Sequence, residues 1–429
     1  MKSRNTPLRV AFWEVNPEIV INNLRRFETS HDEWILAEPT PEPYEQTLRL
    51  RLHGSDAPDI FYAQRGEAAR WHALGLIHPL NEFTGLDKIR SRMHPVIEAD
   101  SLSTDGCFLG LTYYNAGPFA LFRNEKLLAQ KGFSGTEHID SYPQHWEDVE
   151  AQSLELKYSG LCDYPLLMRW FARPTGLVWN LIAQCHAEGE TFVDKSFRAH
   201  FGSDTPIAKV LRDWRRWYQL GLVPPDLFSW TEAQIQSSWM SGHHAFHATL
   251  DYHAAIYSDP KYSRIYLHNH LNPVFPGLSK TPTLTGHALL CLSRRPRSLT
   301  DLDRVWSLLC FLGGPDEHGD LFVHRRWARE ASFPIPFPEI YEEVSTRNAL
   351  RDRMHPEYRD VALEWLLRNR DQAVATPLMR APWYHDWDNR LHELIVCVVR
   401  DGSPSPDVAA NILHALWEDL RLNQIKDSP

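Results

Sequence analysis

The chain has 429 residues, too many for one ordinary hydrophobic core, so two or more domains are expected. A formal net charge of −10, mixed in sign along the chain, excludes the basic surface that nucleic acid or an anionic membrane selects. The hydrophobic fraction of 43% is that of a globular protein, no apolar run is long enough to span a bilayer, and 16 Trp offer flat rings for stacking as well as for core filling.

Leu8 to Trp13 reads as a first strand. Asn16-Pro17 then opens a helix, with Pro at its first position, that runs to about Thr29. Ile35 to Glu38 reads as a second strand, Tyr44 to Leu52 as a helix, residues 54–59 as a loop and Ile60 to Ala63 as a third strand. A strand–helix–strand–helix–strand rhythm predicts an α/β fold. Further on, Asp105-Gly106 is a hairpin-turn pair, followed by two apolar runs, Phe108 to Tyr114 and Phe119 to Phe122. Between these runs lies the breaker cluster Asn115-Ala116-Gly117-Pro118, so a strand enters, bends beside Tyr113, Tyr114 and Phe119, and leaves.

Asn124 to Gly132 is expected as a helix, and a second helix follows Pro143 and ends at Ser159-Gly160, before a strand at 164–166. Trp179-Asn180 falls in a helix, Pro206 to Leu220 is amphipathic, and Thr231 to Met240 is a helix leading into a strand in SGHHAFHATLDY. Pro273 to Leu292 returns through PVFPG and the apolar run ALLCLS. Helices follow at Asp301 to Leu312 and Glu317 to Trp327. Pro382 to Trp387 reads as an irregular segment before a helix from Leu391 to Arg400, and Pro406 to Leu422 is the last helix. Trp214, Trp217, Trp306 and Trp417 lie on helical stripes and are expected in the core.

Several of these stretches carry a resemblance. YEQTLRLRLHGSDAPDIFYA, EAARWHALGLIHPLNEF, DGCFLGLTYYNAGPFALFRN, SGHHAFHATLDY and PVFPG with TLTGHALLCLS follow one another in the order of motifs in the family 1 extracellular solute-binding proteins. These are the ligand-capturing subunits of bacterial ABC importers of sugars and similar solutes. Each motif is degenerate; their number and order carry the resemblance, which covers nearly the whole chain. It implies a periplasmic-binding-protein-like α/β fold of two lobes joined by three crossings, with a ligand cleft between them. Lobe 1 would comprise 1–115 and 284–330, and lobe 2 would comprise 116–283 and 331–429, with the third crossing at Phe333 to Pro336. It also implies capture of a small solute of the carbohydrate class, hinge closure, delivery to ABC permease subunits, a monomeric state and a periplasmic or cell-surface location. The first ten residues lack the apolar run of a secretory leader and a lipoprotein cysteine. Under the resemblance, the expectation is a start that was trimmed or drawn short.

Catalytic signatures are missing: there is no P-loop, GxGxxG, GxSxG or HExxH. His243, His244 and His247 form HHxxH, but in a strand neighbouring residues point to opposite faces, so no metal and no cofactor is expected. The pairs Glu188/Glu190 and Glu342/Glu343 could in principle serve a glycosidase; they sit in polar stretches and read as solvated surface. Six cysteines occur without a CxxC. Cys291, Cys310 and Cys397 lie in apolar runs and are expected as buried thiols, and Cys162 with Cys185 could bridge.

A neutral polar ligand needs flat rings and a few charged or amide groups, best placed at strand ends and crossings. The candidates are Trp13 and Glu14 after strand one, Tyr62, Gln64 and Arg65 at the end of strand three, and Tyr113, Tyr114 and Asn115 at the first crossing. To these are added Trp179 and Asn180, Asp251 and Tyr252, Thr285, Gly286 and His287 at the second crossing, and Trp383 and Tyr384. A hydrolase, or the same fold binding a polyamine or an acidic conjugate, stands as the alternative; Arg65 and Arg123 would favour an acidic group.

Overall fold

The computed structural model describes residues 6–427 except 15, 42, 116, 135–140, 172–175, 285, 286 and 296. Strands β1 (Leu8–Trp13), β2 (Ile35–Thr40), β3 (Ile60–Gln64), β4 (Ile77–His78) and β5 (Leu111–Asn115) come first. They are followed by β6 (Phe119–Asn124), β7 (Leu166–Met168), β8 (Phe246–Leu250), β9 (Asn269–Leu271), β10 (Thr283–Leu284), β11 (His287–Ser293) and β12 (Val374–Ala375). The chain divides into two compact units. Unit 1 is Met1–Asn115, Gly286–Glu343 and Met379–Pro382; unit 2 is Ala116–Thr285, Val344–Leu378 and Trp383–Pro429.

Unit 1 is built on the sheet β2-β1-β3-β11-β4, with β5 also paired to β11. β1 runs parallel to β2 and β3, as expected of strands joined by helical crossovers, and β11 is antiparallel to β3, β4 and β5. Val10, Ala11, Phe12, Ile60 and Phe61 are fully buried, which is why these strands read as continuous apolar runs. The register sets the end of the sheet that matters below: Ala288 pairs with Gln64 on one side and with Tyr114 on the other. Two glycines make this possible. Gly106 turns the chain with φ 82°, and a Cβ on Gly110 would stand 2.5 Å from the Leu290 carbonyl oxygen, so only glycine lets the chain approach β11 there.

Unit 2 holds the sheet β7-β8-β6-β9 and the two-stranded pair β10-β12. β8 is antiparallel to β6 and parallel to β7. Its helices pack through tryptophans. Trp214 and Trp217 on helix Pro206–Gln219 are buried, as is Trp417 on helix Pro406–Asp427. Trp387 lies 5.3 Å from Trp417, edge to face.

Several expectations change. Residues 331–343 belong to unit 1, so the third passage between units falls at 343/344, and Met379–Pro382 is a further short return to unit 1. Tyr384 does not lie in an irregular segment; it begins the helix Tyr384–Val396, which a five-residue π turn then extends. Trp306 is only half-buried, stacked on Phe83 at 4.6 Å. Cys310 and Cys397 are likewise half-buried rather than buried, and all six thiols, Cys162 and Cys185 included, are free. Glu188 and Glu190 are buried, not solvated: both lie at the compact end of helix Leu177–Ala187, where the Glu190 carboxylate accepts from the Thr191 and Phe192 amides.

Candidate functional site

In unit 1 the ends of β1, β3 and β5 bring four of the predicted rings into one line. Trp13 packs on Tyr62 at 5.4 Å, Tyr62 on Tyr113 at 4.3 Å, and Tyr113 on Tyr114 at 5.2 Å. Trp13, Tyr62 and Tyr113 are buried and Tyr114 is half-buried, stacked on Phe333 at 4.5 Å. Tyr44 fixes the line from below. Its hydroxyl donates to the Tyr62 carbonyl at 2.9 Å and accepts from the Tyr62 amide at 3.1 Å, replacing a ladder partner that β3 lacks at that position. Burial raises the Tyr62 and Tyr113 hydroxyls well above the ordinary phenol range. The two hydroxyls face each other, and among the described residues neither closes a hydrogen bond of regular geometry.

Immediately past Tyr62 lies a buried polar network. Gln64 ends β3 and Arg65 opens the helix Arg65–Ala73 with a fully buried guanidinium. Arg65 donates through Nε to the Asp100 carbonyl and through Nη2 to the Leu102 carbonyl, with the Asp100 carboxylate 4.0 Å away. His287 Nδ1 lies 3.0 Å from Asp100 Oδ2, and its Nε2 lies 3.3 Å from Ser101 Oγ. Burial pushes Arg65 down to about 10 despite the pull of Asp100. Burial also works against the Asp100 carboxylate, yet His287 and Arg65 hold it below the usual range. Gln64 Oε1, Arg65 Nη1 and Asp100 Oδ1 are buried without a hydrogen-bond partner among the described residues.

Of this network the sequence offered Arg65 and His287 as candidates but not Asp100, which joins them, or Arg380. The charge of Arg380 bears on both Arg65 and Asp100, and its Nη2 donates to the Ser103 carbonyl at 3.3 Å. Asp100 closes a short helix, Pro95–Asp100, with no motif around it, and Arg380 belongs to the four-residue return that no local pattern announces. Glu14 is exposed just after β1. Asn115 ends β5 opposite His287. Thr285 and Gly286 lie outside the described residues.

In unit 2, Trp179 and Asn180 are buried on helix Leu177–Ala187, and the Tyr384 hydroxyl lies beside Trp179. Neither amide atom of Asn180 has a hydrogen-bond partner among the described residues. Trp383 is packed instead on Trp417 at 5.6 Å and Phe197 at 6.0 Å. Asp251 is buried in an ion pair with Arg370, Nε to Oδ2 2.6 Å, and Tyr252 packs on His253 at 4.4 Å. A second network went unseen in the sequence: buried Arg169, just after β7, meets Glu232 at 2.6 Å and Thr249 at 3.3 Å, and Thr249 meets His253 at 3.1 Å. The HHxxH histidines do not act together. His243 is exposed, His244 uses its nitrogens on the Tyr164 carbonyl and Ser238, and His247 on the Leu167 carbonyl and Tyr257. A pocket of about 630 Å³ in this unit, lined by Glu147, Glu188, Lys209 and Asp407 among others, includes none of the predicted residues, and Lys209 pairs there with Glu147 at 3.0 Å.

No curated protein matches the chain in sequence. Among solved structures, the maltose-bound MalE3 of T. maritima is 14% identical, with 96% of this chain and 99% of that one covered at a TM-score of 0.78. The GacH receptor of Streptomyces glaucescens GLA.O, solved unliganded and with acarbose, is 17% identical over 99% of this chain and 100% of that one, TM-score 0.77. The sugar-binding protein MalE from Xanthomonas citri is 16% identical over 99% and 100%, TM-score 0.75. At such identities these likenesses establish the fold. The family model described as bacterial extracellular solute-binding protein matches residues 25–316, more than half of the chain. The chain belongs to the bacterial extracellular solute-binding protein family.

Proposed function

We propose that the protein captures a neutral, hydroxyl-rich solute, a sugar or sugar-like molecule, and delivers it as a monomer to the membrane subunits of an ABC importer. The observation that carries this reading is the presence, at the same end of the unit 1 sheet, of a line of rings and of buried polar atoms without a hydrogen-bond partner among the described residues. Trp13, Tyr62 and Tyr113 pack on one another at the strand ends, and Gln64 Oε1, Arg65 Nη1 and Asp100 Oδ1 belong to the network that opens two residues after Tyr62 at the end of the same strand. A sugar offers apolar faces to rings and hydroxyls to stranded donors and acceptors, and buried polar atoms without partners ask for such a complement. The solved proteins of this fold include ones bound to maltose, alpha-D-tagatose and acarbose.

In this reading the unit 1 rings, with Tyr114, stack on the solute, while Gln64, Arg65 and the Asp100–His287 pair fix its hydroxyls. In unit 2, Asn180, whose amide has no partner among the described residues, and Trp179, Tyr252 and Tyr384 remain candidates for contact with a hydroxyl-rich solute. Trp383 is assigned to packing and Asp251 to its ion pair, against the expectation from sequence. Glu14 and Asn115 take secondary contacts. The protein works outside the cytoplasmic membrane and turns over no substrate.

A thermal-shift screen against neutral sugars, polyols, polyamines and acidic conjugates tests the proposal. A ligand at a hundred times its Kd adds about 2.7 kcal/mol to native stability, a shift that is readily seen. The expected result is a raised midpoint with one carbohydrate class. A raised midpoint only with charged solutes would refute the sugar reading.

A further inference from the structure

We propose that His72, Asp105 and Cys107 form a site for one divalent transition-metal ion of the zinc type on unit 1. His72 lies in the last turn of helix Arg65–Ala73, and Asp105 and Cys107 flank the left-handed Gly106. His72 Nε2 already stands 3.1 Å from one Asp105 carboxylate oxygen and 3.2 Å from the other. Nε2, a carboxylate oxygen and the Cys107 Sγ all lie within 4.8 Å of one another. Ligand atoms around tetrahedral zinc stand roughly 3.3–3.8 Å apart, as bond lengths of about 2.0–2.3 Å require, so small side-chain rotations close the set.

The turn that carries two of the ligands is held before any ion arrives. The bridge Leu102↔Phe108 closes it, the Ser103 amide donates to the Cys107 carbonyl at 2.8 Å, and the Cys107 amide donates to Ser103 Oγ at 2.8 Å. Asn81 Oδ1 accepts from the Phe108 amide at 2.7 Å. Ser103 Oγ also donates to Asp105 Oδ1, leaving the other carboxylate oxygen for an ion and orienting the group. A surface ion pair of His72 with Asp105 would need neither the thiol nor this scaffold. One imidazole, one carboxylate and one thiol select zinc, cobalt, nickel or copper over magnesium and calcium, which take oxygen sets. The Asp105 side chain is 61% exposed and the His72 side chain 17%, so the ion reaches the site from solvent and water completes its shell. Binding releases the thiol proton to the buffer, and thiolate and carboxylate together balance the 2+ charge.

The site is independent of the solute reading, and its test uses the metal alone. The full chain, stripped with chelator and kept reduced, is titrated with Co²⁺ while thiolate-to-cobalt charge transfer is followed in the near ultraviolet. The expected result is one equivalent bound with that band, displaced by Zn²⁺. Cys107→Ser should abolish the band while leaving the metal-free melting temperature in place, and His72→Gln should weaken binding at least about tenfold. No band in the wild type, a band that survives Cys107→Ser, or affinity unchanged in His72→Gln would each overturn the assignment.

Discussion

Tyr62 and Tyr113 are the residues where packing and the proposed ligand contact meet. Their rings fill the end of the unit 1 sheet, while their hydroxyls lack regular partners. Removing a buried hydroxyl that makes no regular hydrogen bond is close to neutral for stability. Tyr62→Phe should therefore keep the wild-type melting temperature and weaken sugar binding several-fold, read by calorimetric titration alongside circular dichroism; unchanged affinity would make Tyr62 purely a packing residue. The opposite behaviour is expected of Asp251. Asp251→Ala removes the buried carboxylate that pairs with the Arg370 guanidinium, which should cost about 3 kcal/mol in chemical denaturation. Residue type and strand-end position made Tyr62, Arg65 and His287 candidates. They could not show that Asp251 already has a partner 119 residues away, because that pairing exists only in the folded chain.

At the scale of elements, the stretches with strong local signals were legible. The helix Tyr44–Leu52 and the strand β1 have the bounds read from their patterns, and β3 extends one residue beyond, to Gln64. The short strands β9, β10 and β12 had no such signal, since two or three residues carry no period; the neighbouring strand or crossing defines them. The C-terminal helices were legible as helices but not in what they cover. Trp417 is buried against Trp383 and Trp387, and its Nε1 donates to the Phe197 carbonyl at 2.8 Å. Trp417→Ala should remove about 3–5 kcal/mol, with solute affinity per folded molecule intact. Trp383→Ala should behave likewise, and a variant that stays fully stable but loses its ligand would return Trp383 to the binding residues.

At the scale of the molecule, buried neutral histidines set a pH dependence. Burial depresses His186, His244, His253 and His324 to about 4. An unfolded histidine takes up its proton near 6.5, so the stability is complete above that pH and is lost as pH falls from about 6.5 toward 4, by up to about 1.4 kcal/mol per pH unit for each such group. Melting temperature should accordingly fall between pH 7.5 and 5; a midpoint that holds or rises on acidification would show these rings protonated in the native state. The family was legible from the order of motifs, and the residue match from 25 to 316 agrees with it, whereas the short return of residues 379–382 to unit 1 left no mark in the sequence. The most direct measurement of the central claim is calorimetric titration of the wild type and of Tyr62→Phe with the carbohydrate selected by the thermal screen. The account predicts one site per chain, saturable by a neutral sugar and weakened in the variant. A wild-type protein that binds no carbohydrate but takes up a charged solute would contradict it.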